Sequence, residues 1–580
     1  MMFRNLHRLS ARRLKQPNLS FSSAPSSSLP VSRKHPTHVI FGANTDVGKT
    51  VVSTTLIRSN IQNKETVNYI KPLQSGGGDE SFIGSYVDSI DKNNVFHGHT
   101  LFQWDMPASP HLASREENKP VSDEQVLSSL KRKMNDIHDS HNDGSMIWVE
   151  TAGGVLSPAS ASPANTRPRH AKSNQGDILK NQSWGWSTQG DLYQPLHLPV
   201  VLVGDGKLGG ISATLSALES LLSRGYDVHS IVLIEDYADL SGHGSNLPAL
   251  KEYASRCMAL RSGSGRSLLD NVDRSIVSLP SLPPDMNATL HEWFDSNQVQ
   301  ESSAQISSHL RDQWENHVDT LAELRNRGNK NLWWPFTQHQ GHIDKKVNAT
   351  VIDGASGDNF SILHDGDDRL ERTDHFDACA SWWTQGMGHG ESSIGLAAAA
   401  AAGRFGHVIF PDVVHEPAAE LADKLVNSNL GPGEGWASRV FFSDDGSTAM
   451  EVAIKMGMKK YSYDHNIDLG NTDLTLTVCA QQDCYHGDTL GVMDVAEPSI
   501  FNEGQHPWYE PKGLFLSYPT VGYKNGTIGL NFPSEEYKYD LKSMEEVFDV
   551  NKRLSSSLYN EYVTSIQQDW DQYESLQHNR

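Results

Sequence analysis

Val39-Ile40-Phe41-Gly42-Ala43-Asn44-Thr45-Asp46-Val47-Gly48-Lys49-Thr50-Val51-Val52-Ser53-Thr54-Thr55 is the run that decides the fold. An apolar stretch ends in a glycine turn, and Lys49-Thr50 then opens a segment whose apolar residues Val51, Val52, Leu56 and Ile57 read as a helix. The pattern is strand, phosphate loop, helix. Successive backbone N–H groups and the helix start converge on one spot where a polyphosphate can sit, with Gly48 and Lys49 on its oxygens and the Thr50 hydroxyl on Mg²⁺. Ala43 stands where the strict loop signature wants its first glycine, so the loop is one residue longer than usual. The reading therefore rests on the strand and helix around the loop.

Outward from this loop, short β-branched runs alternate with helical stretches: Val67–Ile70, Met146–Val149, Val200–Val203 and Ser230–Ile234. Near-continuous apolar strands separated by helices predict a parallel sheet covered on both faces, with ligands at the carboxyl ends of its strands. Lys71 follows the second strand, and Glu150 follows the third in Glu-Thr-Ala-Gly-Gly. Gly204-Asp205-Gly206-Lys207-Leu208-Gly209-Gly210 follows the fourth and opens a helix at Ile211, while Ser122 to Gln125 forms a capping box. A carboxylate at a strand mouth beside a phosphate loop suits Mg²⁺, which takes one or two protein carboxylates and keeps several waters. Glu150 fits that role. Lys71, on the neighbouring strand, fits the neutralisation of a transferring phosphoryl group or an anionic acceptor. Each taken alone also reads as a surface charge at a strand end.

The 580 residues suffice for two to four domains. A formal charge of −22 argues against a nucleic-acid partner, which usually requires a basic face. The cysteines (Cys257, Cys379, Cys479, Cys484) are scattered and read as ordinary thiols in a reduced compartment. The first acidic residue is Asp46, yet Arg4, Arg8, Arg12, Arg13, Lys15, Arg33 and Lys34 precede it, in a Ser-rich stretch. Arg-rich, Ser-rich and acid-free is the pattern of an organelle transit peptide, mitochondrial ahead of chloroplast, with a disordered basic tail as the alternative. No apolar run approaches the ~20 residues of a spanning helix; Ile394 to Gly403 is mostly alanine. A soluble protein with no membrane partner is expected.

Several of these motifs together resemble the dethiobiotin synthetases: Gly42 to Thr50, Tyr69-Ile70-Lys71-Pro72-Leu73-Gln74-Ser75-Gly76, Pro107 to His111, Val149 to Gly154, and Leu198 to Val203 with Lys207-Leu208-Gly209. The long loop is that family's habit. The resemblance implies ATP- and Mg²⁺-dependent carboxylation of 7,8-diaminopelargonate, phosphorylation of the carbamate, and closure of a cyclic urea by the second amine. It implies that Lys49 and Lys71 stabilise carbamate and phosphoryl charge, that Thr50 and Glu150 hold Mg²⁺ with Asp79 as a second carboxylate (Glu80 competing for that place), and that Thr45 and Ser75 lie at the substrate. The helix start at Gly209, Gly210 and Ser212 would receive the substrate carboxylate from a partner subunit, which implies a homodimer. Simple bacterial members carry Asn-Asp after the strand matching Ser230–Ile234, to read the adenine edge, whereas Glu235-Asp236 stands here. Pro158 to Asp191, with Arg167, Arg169 and Lys172, reads as a polar, aperiodic inserted loop.

Ser303 to Asn326 predicts an amphipathic helix ending at Gly328, either a connector or the first domain's outer layer. From Trp333 the vocabulary changes: Trp333-Trp334-Pro335-Phe336-Thr337, Ala380-Ser381-Trp382-Trp383-Thr384, Arg404 to His407, Phe442 to Ala449 and Tyr485-His486-Gly487-Asp488-Thr489. These are similar to the class III, fold-type I aminotransferases, and most closely to the diaminopelargonate aminotransferases. The resemblance implies pyridoxal phosphate as cofactor, with Gly446 and Ser447 at its phosphate, Tyr485 stacked on its ring and Trp382 and Trp383 in the substrate pocket. Phe336 stands where bacterial members have a tyrosine. The implied reaction is amino transfer from S-adenosylmethionine to 7-keto-8-aminopelargonate, making the diamine that the first domain consumes, in the order of the bifunctional plant and fungal proteins. After Tyr485 only Lys512, Lys524, Lys538, Lys542 and Lys552 follow, and Leu554 to Arg580 reads as a polar helix and tail. None of the five suits the family's Schiff-base lysine. The sequence thus predicts that the polypeptide as given lacks the aminotransferase activity and is a fragment or alternative product of a longer protein.

The expected organisation is an α/β chain: 1–36 transit peptide, 37–284 P-loop NTPase-like parallel-sheet domain, 285–328 helical connector, and 329–580 an incomplete fold-type I transferase domain. The competing reading is a ParA-like nucleotide switch or scaffold. Such switches add a lysine near the start of the loop, and Gly42-Ala43-Asn44 has none. A third possibility is that the partial second module leaves enough apolar surface exposed for the chain to aggregate.

Overall fold

The computed structural model describes residues 31–578 apart from 33–34, 92, 94, 141–144, 167–183, 236–244, 257–271, 336–348, 366–369, 409–410, 430, 469, 471–475, 500–501, 504–505, 519, 525–526 and 532–556. The chain divides into two compact units, Met1–Gly406 and His407–Arg580, each described by itself.

Among the described residues the strands are numbered in chain order, β1 to β17. β1 is Val31–Ser32, β2 Thr37–Gly42, β3 Thr66–Ser75, β4 Phe96–Trp104, β5 Ser145–Gly154, β6 Pro158–Ser162, β7 Gly185–Thr188, β8 Val200–Val203, β9 Val228–Ile234 and β10 Ile276–Leu279. β11 is Val351–Ser356, β12 Asn359–Asp365, β13 Leu370–Phe376, β14 Val478–Gln481, β15 Gly513–Leu516, β16 Thr520–Lys524 and β17 Thr527–Asn531. The helices used below are α1 Lys49–Gln62, α2 Asp79–Val87, α3 Asp123–Ser140, α4 Gly210–Leu222, α5 Asn297–Asn331, α6 Ser392–Phe405, α7 Gly446–Asp464 and α8 Ser557–His578.

In the first unit seven strands form one sheet in the order β10-β9-β8-β2-β5-β3-β4, every neighbouring pair parallel. The apolar runs are continuous because alternate residues serve opposite cores. Val39, Phe41, Ile147 and Val149 pack into one, and Ile40, Met146 and Trp148 into the other. Two strands escape the sequence pattern, and both are sheet edges. β4 mixes His97, His99 and Thr100 among its apolar residues and is only half-buried, and β10 has four residues. Strands β3 and β5 also run farther than expected, so Lys71 and Glu150 lie inside them and not after them.

The amphipathic stretch belongs to α5, which begins at a Ser296 cap and continues through Gly328. Its Val299, Ile306 and Leu310 join the core beside Val52, Leu56 and Ile57 of α1. Full burial of an aliphatic side chain contributes about 1.5–3 kcal/mol, so this part of the helix is an outer layer of the sheet domain. The inserted stretch after Pro158 is not wholly irregular: β6 and β7 pair as an antiparallel ribbon. Arg167, Arg169 and Lys172 lie outside the described residues, as do Phe336, Cys257 and residues 1–30, 33 and 34 of the expected transit segment 1–36; Val31 and Ser32 of that segment instead pair with β13 as a strand.

A meander β11-β12-β13, edged by β1, also belongs to the first unit. Buried Arg372 of β13 donates to the backbone carbonyls of Leu196 and Pro195 and to Ser361 Oγ, and Lys131 of α3 pairs with Asp374 at 2.7 Å. These contacts hold the meander to the sheet domain, so the spatial division falls at Gly406/His407, beyond the expected domain start at residue 329. In the second unit β14 and β15 pair in parallel and β16 and β17 form a hairpin. Asp569 of α8 accepts from Ser517 N–H at 2.8 Å and Ser517 Oγ at 2.7 Å.

At the amino-terminal end of the main sheet, His38 is fully buried against Trp148, with Nε2 3.3 Å from His229 Nδ1. Burial, reinforced by His309, lowers the His38 pKa to about 3. Burial also lowers that of His309, 3.1 Å from Ser275 Oγ. The His38 ring is therefore neutral when folded and protonates near pH 6.5 when unfolded. Between these values the unfolded chain binds more protons, so stability falls as pH falls, by about 1.4 kcal/mol per pH unit for each fully shifted histidine. Urea midpoints at pH 7, 6 and 5 should decline accordingly, and His38→Phe should flatten the decline by about one proton.

Candidate active site

The phosphate loop takes its shape from residues that must lack side chains. Gly48 caps α1 at φ +89°, a left-handed conformation, and a Cβ there would lie 2.5 Å from Ile234 Cδ1. At Gly154 the end of β5 passes so close to the loop that a Cβ would stand 3.3 Å from the Ala43 carbonyl. Val155 N–H donates to the Gly42 carbonyl at 3.2 Å. The Glu-Thr-Ala-Gly-Gly motif thus braces the loop.

Glu150 is the centre of the site. It is wholly buried, and its Oε1 accepts from Thr50 Oγ1 at 3.0 Å and Lys71 Nζ at 2.9 Å. Its Oε2 accepts from Ser53 Oγ at 2.6 Å and Tyr69 OH at 3.1 Å. Lys71 Nζ also meets Asp79 Oδ2 at 2.6 Å and the Thr151 carbonyl at 3.2 Å. Burial pushes the Glu150 carboxyl up, but Lys71, Ser53 and Lys49 outweigh it and hold it below the usual range. Lys71 is opposed by burial and raised by Glu150 and Asp79. Lys49, which has no carboxylate in hydrogen-bond contact among the described residues, is lowered, by burial first, against the pull of Glu150. Tyr69, buried beside Glu150, is held well above its ordinary value.

Thr50, Lys71, Glu150 and Asp79 are thus linked through one hydrogen-bonded ion-pair network, and Lys49 feels the charge of Glu150 and Asp79 without pairing with either. Thr45 is exposed on the loop, its N–H donating to Asn44 Oδ1 at 2.8 Å, and its hydroxyl lies 3.7 Å from where a Cβ on Gly153 would stand. Ser75 ends β3 and is half-buried. Glu80 turns instead to Thr100, accepting from its hydroxyl at 2.8 Å. Ser53 and Tyr69 were not singled out by the sequence, although their spacing carries the signal. Ser53 lies one helical turn from Thr50, and Tyr69 two strand residues from Lys71, so each shares a face with a recognised residue. Gly209, at φ +86°, caps α4. Glu235 is buried at the end of β9; its Oε1 accepts from Ser245 Oγ, and Oε2 has no hydrogen-bond partner among the described residues.

The oxygen spacing here can be set against that of a Mg²⁺ site. Octahedral Mg²⁺ with ligands at about 2.0–2.1 Å separates neighbouring oxygens by roughly 2.9 Å, close to the 3.0 Å between Thr50 Oγ1 and Glu150 Oε1. Among the described residues no group of three or more His, Cys, Asp or Glu could hold a metal, and a metal completed by phosphate and water needs none.

In the second unit Gly446 and Ser447 open α7, capped by Asp445, whose Oδ1 accepts from Thr448 N–H at 2.9 Å. Asp488 N–H donates to Ser447 Oγ at 3.0 Å, and Tyr485 OH donates to Asp488 Oδ2 at 2.8 Å. Gly446, Ser447 and Tyr485 therefore share one cluster. Burial and Asp488 push the Tyr485 pKa up to about 12. Trp382 and Trp383 belong to the first unit and are exposed. Lys512 pairs with Asp494 at 2.6 Å and Lys524 is on β16; Lys538, Lys542 and Lys552 lie outside the described residues.

Fold and site define a P-loop nucleotide-binding α/β domain. A family model described as AAA domain matches residues 37–166, and one described as Aminotransferase class-III matches residues 343–548. The chain is 35% identical to the bifunctional dethiobiotin synthetase/7,8-diamino-pelargonic acid aminotransferase, mitochondrial, of Oryza sativa subsp. japonica, across 93% of this chain and 67% of that protein. It is 33% identical to the Arabidopsis thaliana protein described in the same words, across 96% and 69%. It is 35% identical to the bifunctional dethiobiotin synthetase/adenosylmethionine-8-amino-7-oxononanoate aminotransferase of Emericella nidulans, across 91% and 62%. The chain belongs to this bifunctional family of biotin biosynthesis and spans about two thirds of these relatives' length.

Proposed function

We propose that the first domain converts 7,8-diaminopelargonate, CO₂ and ATP to dethiobiotin. The observation that carries this reading is the buried Glu150 carboxylate, which gathers Thr50, Ser53, Tyr69 and Lys71 beside a phosphate loop. Thr50 and Glu150 would hold Mg²⁺, which draws charge from the ATP phosphates, and Asp79 stands near enough to Lys71 to serve as a further carboxylate. Lys49 meets the transferring phosphoryl group from the loop side, and Lys71 the carbamate from the β3 side; each neutralises charge that grows as phosphate is transferred. Thr45 and Ser75 orient the diamine. The second amine then displaces phosphate and closes the urea ring. The Gly209 helix start takes the substrate carboxylate across a homodimer. Glu235, at the end of β9, would meet the amino edge of the base through its carboxyl oxygens.

The second module would hold pyridoxal phosphate through Gly446, Ser447 and Tyr485. Bound there, that cofactor supplies an electron sink for moving an amino group from amine to ketone. The names of the two plant relatives and the Arg-rich, acid-free composition of residues 1–34 support a mitochondrial location. Family membership does not favour the nucleotide switch.

The test is product formation by the full chain given ATP, Mg²⁺, bicarbonate and 7,8-diaminopelargonate. Dethiobiotin should appear, and ATP turnover should depend on the diamine. Turnover indifferent to diamine and bicarbonate, with no product, would reject the proposal in favour of the switch.

A further inference from the structure

Between β13 and α6 the chain makes an unusual turn. Ala380, Ser381, Trp382 and Trp383 have φ of 47°, 48°, 56° and 69°, with ψ of 54° and 53° at Ser381 and Trp382. This is a left-handed turn built without glycine, in which each Cβ crowds the following carbonyl oxygen. Such a turn persists only where its surroundings impose it.

The surroundings are specific. Both ends of the segment are tied to the tip between β11 and β12. Asp377 N–H donates to the Asp358 carbonyl at 2.8 Å, while His389 exchanges two backbone bonds with Gly357, at 2.7 and 2.9 Å. Across this closed base lies the side chain of Asp377, buried at the end of β13. Its Oδ2 accepts from Ser381 N–H at 2.7 Å, Ser381 Oγ at 3.2 Å and His389 Nε2 at 2.9 Å. Its Oδ1 accepts from Cys379 Sγ at 3.4 Å. One carboxylate therefore grips both the first half of the turn and the residue that closes the loop. Trp382 and Trp383, directly after the gripped Ser381, are 60% and 85% exposed.

We infer that Asp377 is a positioning residue that locks Trp382 and Trp383 in the left-handed turn, fixing the side of the backbone on which both indoles stand. A right-handed turn would carry them to the other side. The inference rests on the aminotransferase reading only in naming what the indoles meet: the apolar carbon chain of the amino-acid substrate.

The test is cleavage of the full chain by chymotrypsin, which cuts after aromatic residues, with fragments identified by mass. Asp377→Ala should be cut after Trp382 or Trp383 on the order of tenfold faster than the parent chain, because the crowded turn opens when its grip is lost. Ser381→Gly should be cut no faster than the parent, since glycine adopts this conformation without steric cost. In the Asp377→Ala background it should bring the rate back to within about twofold of the parent. A general packing role for Asp377 gives the opposite sign, because glycine would then loosen the segment in both backgrounds. That result, or Asp377→Ala cut at the parent rate, overturns the inference. Protection by added 7-keto-8-aminopelargonate reads the substrate assignment separately. Its absence, with the variant pattern intact, counts against the aminotransferase reading alone.

Discussion

Lys49→Met is expected to lower kcat for dethiobiotin formation by roughly 10²–10³-fold, the usual loss when one preorganised donor to a transition-state charge is removed. The side chain is 9% exposed at the start of α1, its Nζ 3.1 Å from where a Cβ on Gly42 would stand. Its ammonium is held inside the curve of the loop. Burial lowers its pKa, so the folded chain holds this cation at a cost. Methionine keeps the apolar stem and removes the charge, and the domain should therefore unfold at the same urea concentration as the parent or a slightly higher one. The separation of effects is the point: activity falls while stability does not. A KM for the diamine that stays near the parent value would place the lost interaction on the phosphoryl group; a KM that rises with kcat unchanged would place it on substrate binding. A variant retaining more than about a tenth of parental kcat would show that Lys49 does not carry transition-state charge.

What the sequence discloses follows from how each feature is encoded. The phosphate loop, β2 and α1 were legible because strand, glycine turn and helix are consecutive, and their chemistry depends on backbone groups. The inner strands were legible because burial on both faces demands unbroken apolar runs, as in Val200–Val203. Edge strands obey no such demand, which is why β4, with its histidines, was silent. The extent of β3 was misjudged because Lys71 looks like the end of a strand, whereas it is buried inside one against Glu150. A paired buried charge cannot be told from a surface charge without its partner. For the same reason Ser53 and Tyr69 passed unnoticed: a serine in a helix and a tyrosine in a strand are ordinary until a carboxylate 97 or 81 residues away comes within reach. The left-handed turn at Ala380–Trp383 contains no glycine to announce it, and its cause lies in Asp377 and His389 on either side.

Glu150→Gln tests that network directly. The carboxylate accepts from two donors at each oxygen, but an amide has one accepting oxygen and a donating NH₂. Whichever way the glutamine turns, its NH₂ faces two donors. The less costly orientation points NH₂ at the Ser53 and Tyr69 hydroxyls, which can rotate to accept, and leaves the amide oxygen for Thr50 and Lys71. Even so, buried Lys71 keeps only Asp79 as a charged partner. Breaking a buried pair from one side costs about 3–5 kcal/mol; with Asp79 still present the lower figure is expected. The remedy identifies the cause. Lys71→Met added to Glu150→Gln should restore most of the lost stability, because the stranded charge is gone, so the two substitutions should be strongly non-additive in a double-mutant cycle. Activity should not return with it. Without the charged oxygen beside Thr50, the Mg²⁺ of the proposed mechanism would lose the nearer of its two carboxylates, and dethiobiotin formation should fall by at least roughly 10²-fold at any Mg²⁺ concentration that the parent needs for saturation. If Glu150→Gln instead keeps Mg²⁺-dependent turnover within about tenfold of the parent, the metal's carboxylate is elsewhere. Asp79, 2.6 Å from Lys71 and partly open to solvent, is then the group to replace next.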